Sequence, residues 1–153
     1  MPDGRHVEPL SSSAGGGGGG VVACGGSGGT SPLATWANVR DVVEGNGLTY
    51  SCHGAECHTE GEHEPILFGL NSASLSDAAL YSKLTTYKTT KCGHRAMVNP
   101  CAPDDSAFAL ALAGRCEGIN QMPNGCSQEY GSCTPDDMLE GIRQWIASGA
   151  PPP

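Results

Sequence analysis

Residues 52–58 read Cys-His-Gly-Ala-Glu-Cys-His. Two thiols and an imidazole fall within seven positions, and the second thiol is followed at once by His58. Three chemistries use such a set. A disulfide between Cys52 and Cys57 would close a small loop in an oxidising compartment, leaving His58 on the surface. Zinc takes mixed Cys/His shells, here with His63 or Cys92 as further ligands, but no second closely spaced cysteine pair completes the usual arrangement. The third chemistry is covalent attachment of haem. In Cys-x-x-Cys-His, the two sulfurs form thioethers with the haem vinyl groups and the adjacent imidazole faces the iron. The spacer here is four residues, so two extra residues must loop out for both sulfurs to reach one macrocycle.

Other chemistries find less support. The serines near histidines lack an accompanying acid pattern, so hydrolysis has no warrant. The formal net charge of −8 argues against nucleic acid as a partner. No apolar run approaches the roughly 18 residues of a transmembrane helix. Eight cysteines point to an exported, oxidising setting or to bound metal. Aromatic residues make up only 5% of the chain, which leaves core volume for a prosthetic group.

The elements that must position the motif can be read from periodicity. Residues 1–30 hold 11 of the 23 glycines and show no apolar pattern, so they read as a low-complexity tail. Within the tail, Val21-Val22-Ala23-Cys24-Gly25 resembles a bacterial lipoprotein signal, although six glycines stand where its apolar stretch belongs. The remaining residues, 31–151, form one domain. A first helix is predicted from Ser31-Pro32 to residue 45, with Leu33, Trp36, Val39 and Val43 at helical spacing and Gly45-Asn46-Gly47 as its stop. A second is predicted near Ser76 to Thr86, facing Leu80, Tyr81 and Leu84 inward. A third runs near Asp104 to Ala113, carries Phe108, Leu110 and Leu112, and is closed by Gly114. The fourth opens on Thr134-Pro135-Asp136-Asp137, read as a capping box. Its apolar face is Met138, Leu139, Ile142, Trp145 and Ile146, and Gly149 and Pro151 end it. No run alternates as a strand does, so the fold class is all-α with long connections.

The order of these features is more specific than any one of them. A short helix precedes the motif, Met122-Pro123 follows His58 by 64 residues, and an amphipathic helix closes the chain. That order resembles class I cytochromes c. The ending QWIASGAP and the segment AMVNPCAPDDSAFALALAG are similar to cytochrome c-like domains of exported myxobacterial and planctomycete proteins, and the four-residue spacer resembles a form found in some bacterial multihaem cytochromes. The resemblance covers about residues 33–151. It implies a cytochrome c-like helical fold whose first and last helices cross at the haem edge. It also implies one covalent haem c on Cys52 and Cys57, with His58 as proximal ligand and Met122 as distal ligand. The implied function is one-electron transfer to a redox partner protein, by a carrier rather than an enzyme, in the periplasm or cell envelope. Membrane attachment would come only through a lipid on Cys24. Met97, Met138, His63 and His94 compete with Met122 for the distal position. Met138 fits the apolar face of the last helix, and His53 lies inside the spacer. The alternative function is a haem-free, disulfide-stapled exported binding or structural module.

Five further cysteines remain: Cys92, Cys101, Cys116, Cys126 and Cys133. Long loops of low apolar content need staples, and the expected bridges are Cys92–Cys101 and Cys116–Cys126, the latter bracketing Met122. Charge is segregated. Glu56, Glu60, Glu62 and Glu64 surround the motif, while Lys83, Lys88, Lys91 and Arg95 form a basic stretch with no acid between Asp77 and Asp104. The plain reading is solvated surface. The sharper one is two docking faces of opposite sign for a charge-steered encounter. Carboxylates near a haem would lower its potential and a methionine ligand would raise it.

Overall fold

The computed structural model describes residues 24–25, 30–44, 75–123, 126, 129 and 133–153. Within them the fold is all-α and disulfide-rich. The helices are α1 (Trp36–Glu44), α2 (Asp77–Thr86), α3 (Ala107–Leu112) and α4 (Asp136–Ala147), with single 3-10 turns at Cys92–His94 and Pro103–Asp105. The β structure among the described residues is one isolated bridge between Lys88 and Ala96.

Helix α2 follows its sequence closely. Ser76 caps it, accepting from the Ala79 N–H at 3.3 Å, and Leu80 and Leu84 are buried. The other three helices depart from expectation in instructive ways. Helix α1 begins at Trp36 rather than near Ser31. The Thr35 hydroxyl accepts from the Asn38 N–H at 3.3 Å, which is the cap geometry that Ser31-Pro32 was expected to supply. Ser31 instead makes a turn before the helix, and its N–H donates to Gln144 Oε1 of α4 at 2.8 Å. The segment expected as one helix from Asp104 to Ala113 is broken at Ser106. Its hydroxyl donates to the Ala102 carbonyl at 2.9 Å and accepts from the Asn99 N–H at 2.9 Å. A buried serine that satisfies backbone groups in this way competes with the helical ladder, and the chain divides into a 3-10 turn and α3. Gly114 ends the segment at φ +65°, as expected. The capping box of α4 does not form: the Thr134 hydroxyl is buried without a hydrogen-bond partner among the described residues, and Pro135 occupies the cap position with no side-chain bond.

The core is the meeting of these helices. Val39, Val42 and Val43 of α1, Leu80 and Leu84 of α2, Leu112 of α3, and Ile142, Trp145 and Ile146 of α4 are all buried in one cluster. Trp145 has no exposed surface, and its indole N–H donates to the Pro151 carbonyl at 3.0 Å. The Tyr81 hydroxyl donates to the Ala150 carbonyl at 2.8 Å, so α2 is fastened to the chain leaving α4. Gly141 sets how closely α1 and α4 approach. A Cβ there would lie 2.5 Å from the Leu33 carbonyl oxygen, 2.6 Å from Leu33 Cβ and 2.8 Å from Asn38 Nδ2. The same Asn38 amide donates to the Met138 carbonyl at 2.9 Å across that contact.

Among the described residues the disulfides are Cys24–Cys101, Cys92–Cys116 and Cys126–Cys133. Neither Cys92–Cys101 nor Cys116–Cys126 is present. The reason lies in the backbone. The Cys92 N–H donates to the Glu117 carbonyl at 3.1 Å, which sets Cys92 beside Cys116 in the core. The Cys101 N–H donates to the Ile146 carbonyl at 2.9 Å, at the end of α4, and Cys101 itself is exposed.

Candidate functional site

The motif residues Cys52, Cys57 and His58 lie outside the described residues, as do His53, His63 and the surrounding glutamates. The described residues show the frame at the two ends of that segment. Helix α1 ends at Glu44, and the described chain resumes at Leu75 just before α2. Arg40 bonds to both ends. Its guanidinium pairs with Glu44, donates to the Leu75 carbonyl at 2.9 Å and donates to Asp77 Oδ1 at 2.9 Å. One half-buried arginine therefore holds together the positions between which residues 45–74 run. Nothing in the sequence marks Arg40 for this role, since its partners are 35 and 37 residues away.

Met122 lies on the connection that follows α3. It is half-buried and packs against the core cluster. Its N–H donates to the Ala111 carbonyl at 2.9 Å, and the neighbouring Gln121 amide donates to the Leu112 carbonyl at 3.0 Å. The connection thus folds back on the end of α3. It carries Cys116, which bridges to Cys92. The competing ligands are placed differently. Met97 is buried in the core, Met138 packs against it from α4, and His94 is exposed on a left-handed turn at φ +56°.

The sulfur pairing bears directly on the motif. The chain has eight cysteines, and the three bridges join Cys24, Cys92, Cys101, Cys116, Cys126 and Cys133 among themselves. By elimination, Cys52 and Cys57 are the two sulfurs outside those bridges. Cys24 is bonded to Cys101, and a Cys24 sulfur carrying a lipid thioether would have no valence for that bond, so the bridge and lipidation exclude each other. Among the described residues no group of three or more His, Cys, Asp or Glu is gathered as a metal site, and no helix is long and apolar enough to cross a membrane.

The basic stretch is only partly a free surface. Lys83, Lys88 and Lys91 are exposed, and among the described residues their ammonium groups enter no ion pair. Arg95 is committed instead: it donates to Asp105 Oδ1 and to the Cys92 carbonyl, both at 2.9 Å. Asp104 receives Arg143 at 3.1 Å and Arg115 at 3.5 Å, which ties α4 to the turn before α3. Burial pushes the Tyr81 phenol above its ordinary value. Searched against protein-family models, curated proteins and solved structures, the chain matches none of them.

Proposed function

We propose that the chain is a monohaem c-type electron-transfer domain of an exported protein. In this reading Cys52 and Cys57 hold the haem through thioethers, His58 is the proximal ligand and Met122 the distal one. The observation that carries it is the sulfur pairing: six cysteines pair among themselves, and the two they leave are those of the Cys-x4-Cys-His motif. The donor set fits the group chemically, with two thiols and an imidazole at close spacing and a methionine on a fastened, half-buried connection. The contact of α1 with α4 supports the implied order of helices, and the three bridges support an oxidising compartment.

The haem supplies the one-electron couple. The chain's own residues do the rest. The bond from the Met122 N–H to Ala111 and the Cys92–Cys116 bridge fix the connection that bears the methionine, which limits its movement between oxidation states. A thioether ligand raises the potential relative to a second imidazole. Lys83, Lys88 and Lys91 are exposed and, among the described residues, enter no ion pair, so their charges suit a weak, charge-steered encounter with a redox partner.

A pyridine haemochrome spectrum tests this, taken on full-length protein made with the haem-attachment machinery and extracted with acid–acetone. Haem that stays with the polypeptide and gives the thioether-type band is the expected result. A colourless protein, or haem that extracts, refutes covalent attachment. A Cys52–Cys57 disulfide found by mass spectrometry would then favour the haem-free, disulfide-stapled binding module. The three bridges and the side-chain core of the described residues are the observations that recommend that second reading.

A further inference from the structure

An open hollow of about 630 Å³ lies between α1 and the start of α2, lined by Trp36, Ala37, Arg40, Asp41, Leu75, Ser76 and Asp77. The geometry points to a binding subsite for a neutral saccharide chain, with Trp36 as its stacking platform and Asp77 as its hydroxyl acceptor. This goes beyond electron transfer and does not depend on it.

The argument begins with the ring. Trp36 is half-buried and lines the hollow, so part of the indole meets solvent. The rings of Tyr81 and Trp145 pack against it, with centroids at 5.7 Å and 5.9 Å, and restrict its movement. Its N–H is fixed on Asp77 Oδ1 at 2.9 Å. A rigid indole at an open surface presents apolar area at little cost in ordering, which suits the axial C–H face of a pyranose ring.

The polar groups beside the ring select the ligand's charge. Asp77 Oδ1 accepts from both Trp36 and Arg40, each at 2.9 Å, so the carboxylate is locked. No hydrogen bond or ion pair among the described residues uses Asp77 Oδ2, and the side chain is 54% exposed. That oxygen can accept ligand hydroxyl protons. The exposed Ser76 hydroxyl accepts from the Ala79 N–H and so retains its own proton to donate. Arg40 adds no net attraction for anions, because Glu44, Asp77 and the Leu75 carbonyl already surround its guanidinium. An apolar platform, a locked carboxylate with one oxygen to offer and a compensated arginine match a neutral polyol. They do not match a phosphate or a carboxylate, and the Asp41 carboxylate in the lining disfavours anions further. The openness of the hollow suits a segment of a longer chain rather than an engulfed small molecule.

Isothermal titration calorimetry on the full chain with cellohexaose and with N-acetylchitohexaose tests the assignment. Both present flat, equatorially linked rings. Maltohexaose, which is curved, serves as the comparison. Saturable binding of at least one flat hexasaccharide at about millimolar affinity is expected, with Trp36→Ala weakening it at least about tenfold. Asp77→Asn should weaken binding, and Glu117→Gln, at an exposed residue that does not line the hollow, should leave it unchanged. Because Trp36→Ala removes packing against Trp145, circular dichroism of each variant guards against a folding artefact. Trp36→Phe retains a ring for stacking and should retain most of the binding. No saturable heat from either flat hexasaccharide to the wild-type chain overturns the proposal, as does binding that is indifferent to Trp36→Ala in a folded variant. The haemochrome test is a separate measurement, so failure of one reading is distinguishable from failure of the other.

Discussion

Gly141→Ala should destabilise the domain, against the ordinary rule for a glycine inside a helix. Replacing a mid-helix glycine by alanine normally stabilises by about 0.8–1 kcal/mol, because alanine loses less backbone entropy on folding. At this position the new Cβ would sit 2.5 Å from the Leu33 carbonyl oxygen. That is about 0.8 Å inside an ordinary carbon–oxygen contact of ~3.3 Å. The obstructing atom is backbone, so no rotamer change relieves it, and α4 must retreat from the chain leading into α1. Overpacking of this kind costs about 1–3 kcal/mol. The retreat also stretches the bond from Asn38 Nδ2 to the Met138 carbonyl, whose loss costs about 1 kcal/mol more. After the propensity gain is subtracted, a net loss of about 1–3 kcal/mol remains. In a domain of about 120 residues each kcal/mol lowers Tm by about 4 °C. Urea unfolding with the disulfides intact gives the difference directly. If Gly141→Ala instead raises stability by about 1 kcal/mol, the contact between the first and last helices is looser than described and the reasoning fails.

Other perturbations bear on the bridges, the ligand and the pH response. Loop-closure entropy predicts that removing Cys24–Cys101, with its separation of 77 residues, costs about 4.5 kcal/mol, against about 3.5 kcal/mol for Cys92–Cys116 at 24 residues. Paired Cys→Ala variants in chemical denaturation would check this order, and the reverse order would show that burial of Cys92–Cys116 outweighs loop length. In haem-loaded protein, Met122→His should lower the reduction potential measured by spectroelectrochemistry. Met97→Ala should chiefly cost stability, about 2–5 kcal/mol for a buried methionine. A potential that responds to Met97 but not to Met122 would reassign the distal ligand. Tyr81 titrates above its ordinary value because burial disfavours the phenolate. Its contribution is therefore fully present below pH 10.0, the unfolded value, and is lost as pH rises through the folded value. Alkaline unfolding followed by circular dichroism should begin above that pH, and Tyr81→Phe should flatten the dependence.

The legible part of the fold is the part governed by local periodicity. Leu80 and Leu84 in α2, and Ile142, Trp145 and Ile146 in α4, follow directly from apolar spacing, and all five are buried. What local patterns misplace is anything that a distant group decides. Ser31-Pro32 has the composition of a helix start, yet the Ser31 N–H is drawn to Gln144 in α4 and the helix begins at Trp36. Thr134 has the position of a capping residue, but it is buried and its hydroxyl caps nothing. Asn38 is polar and so absent from any apolar stripe, yet it is buried where α1 meets α4. Spacing favours bridges between cysteines near one another in sequence, which fits Cys126–Cys133 at 7 residues, but Cys92 pairs with Cys116 at 24 residues, beside the bond from Cys92 to Glu117, and Cys101 pairs with Cys24 at 77. For the candidate site, the motif and Met122 are sequence expectations, the motif lying outside the described residues, and no local pattern marks Arg40, whose bonds reach across the whole intervening segment.

The sulfur pairing turns the choice between the two functional readings into a count of thiols. A disulfide yields two thiols on reduction, while a thioether yields none. If Cys52 and Cys57 carry haem, complete reduction of the unfolded chain followed by alkylation labels six cysteines, those of the three bridges. If they form a fourth disulfide or are free, it labels all eight. A count of seven would mean attachment through a single thioether. That outcome has a mechanical meaning, because a four-residue spacer must loop out two residues before its second sulfur meets the same macrocycle. The count needs no spectrum and no assumption about the distal ligand. It separates covalent haem from adventitious haem even in a red preparation, since loosely held haem leaves both motif thiols open to the label. Residual colour with eight labelled cysteines would therefore refute the thioether assignment as firmly as a colourless protein.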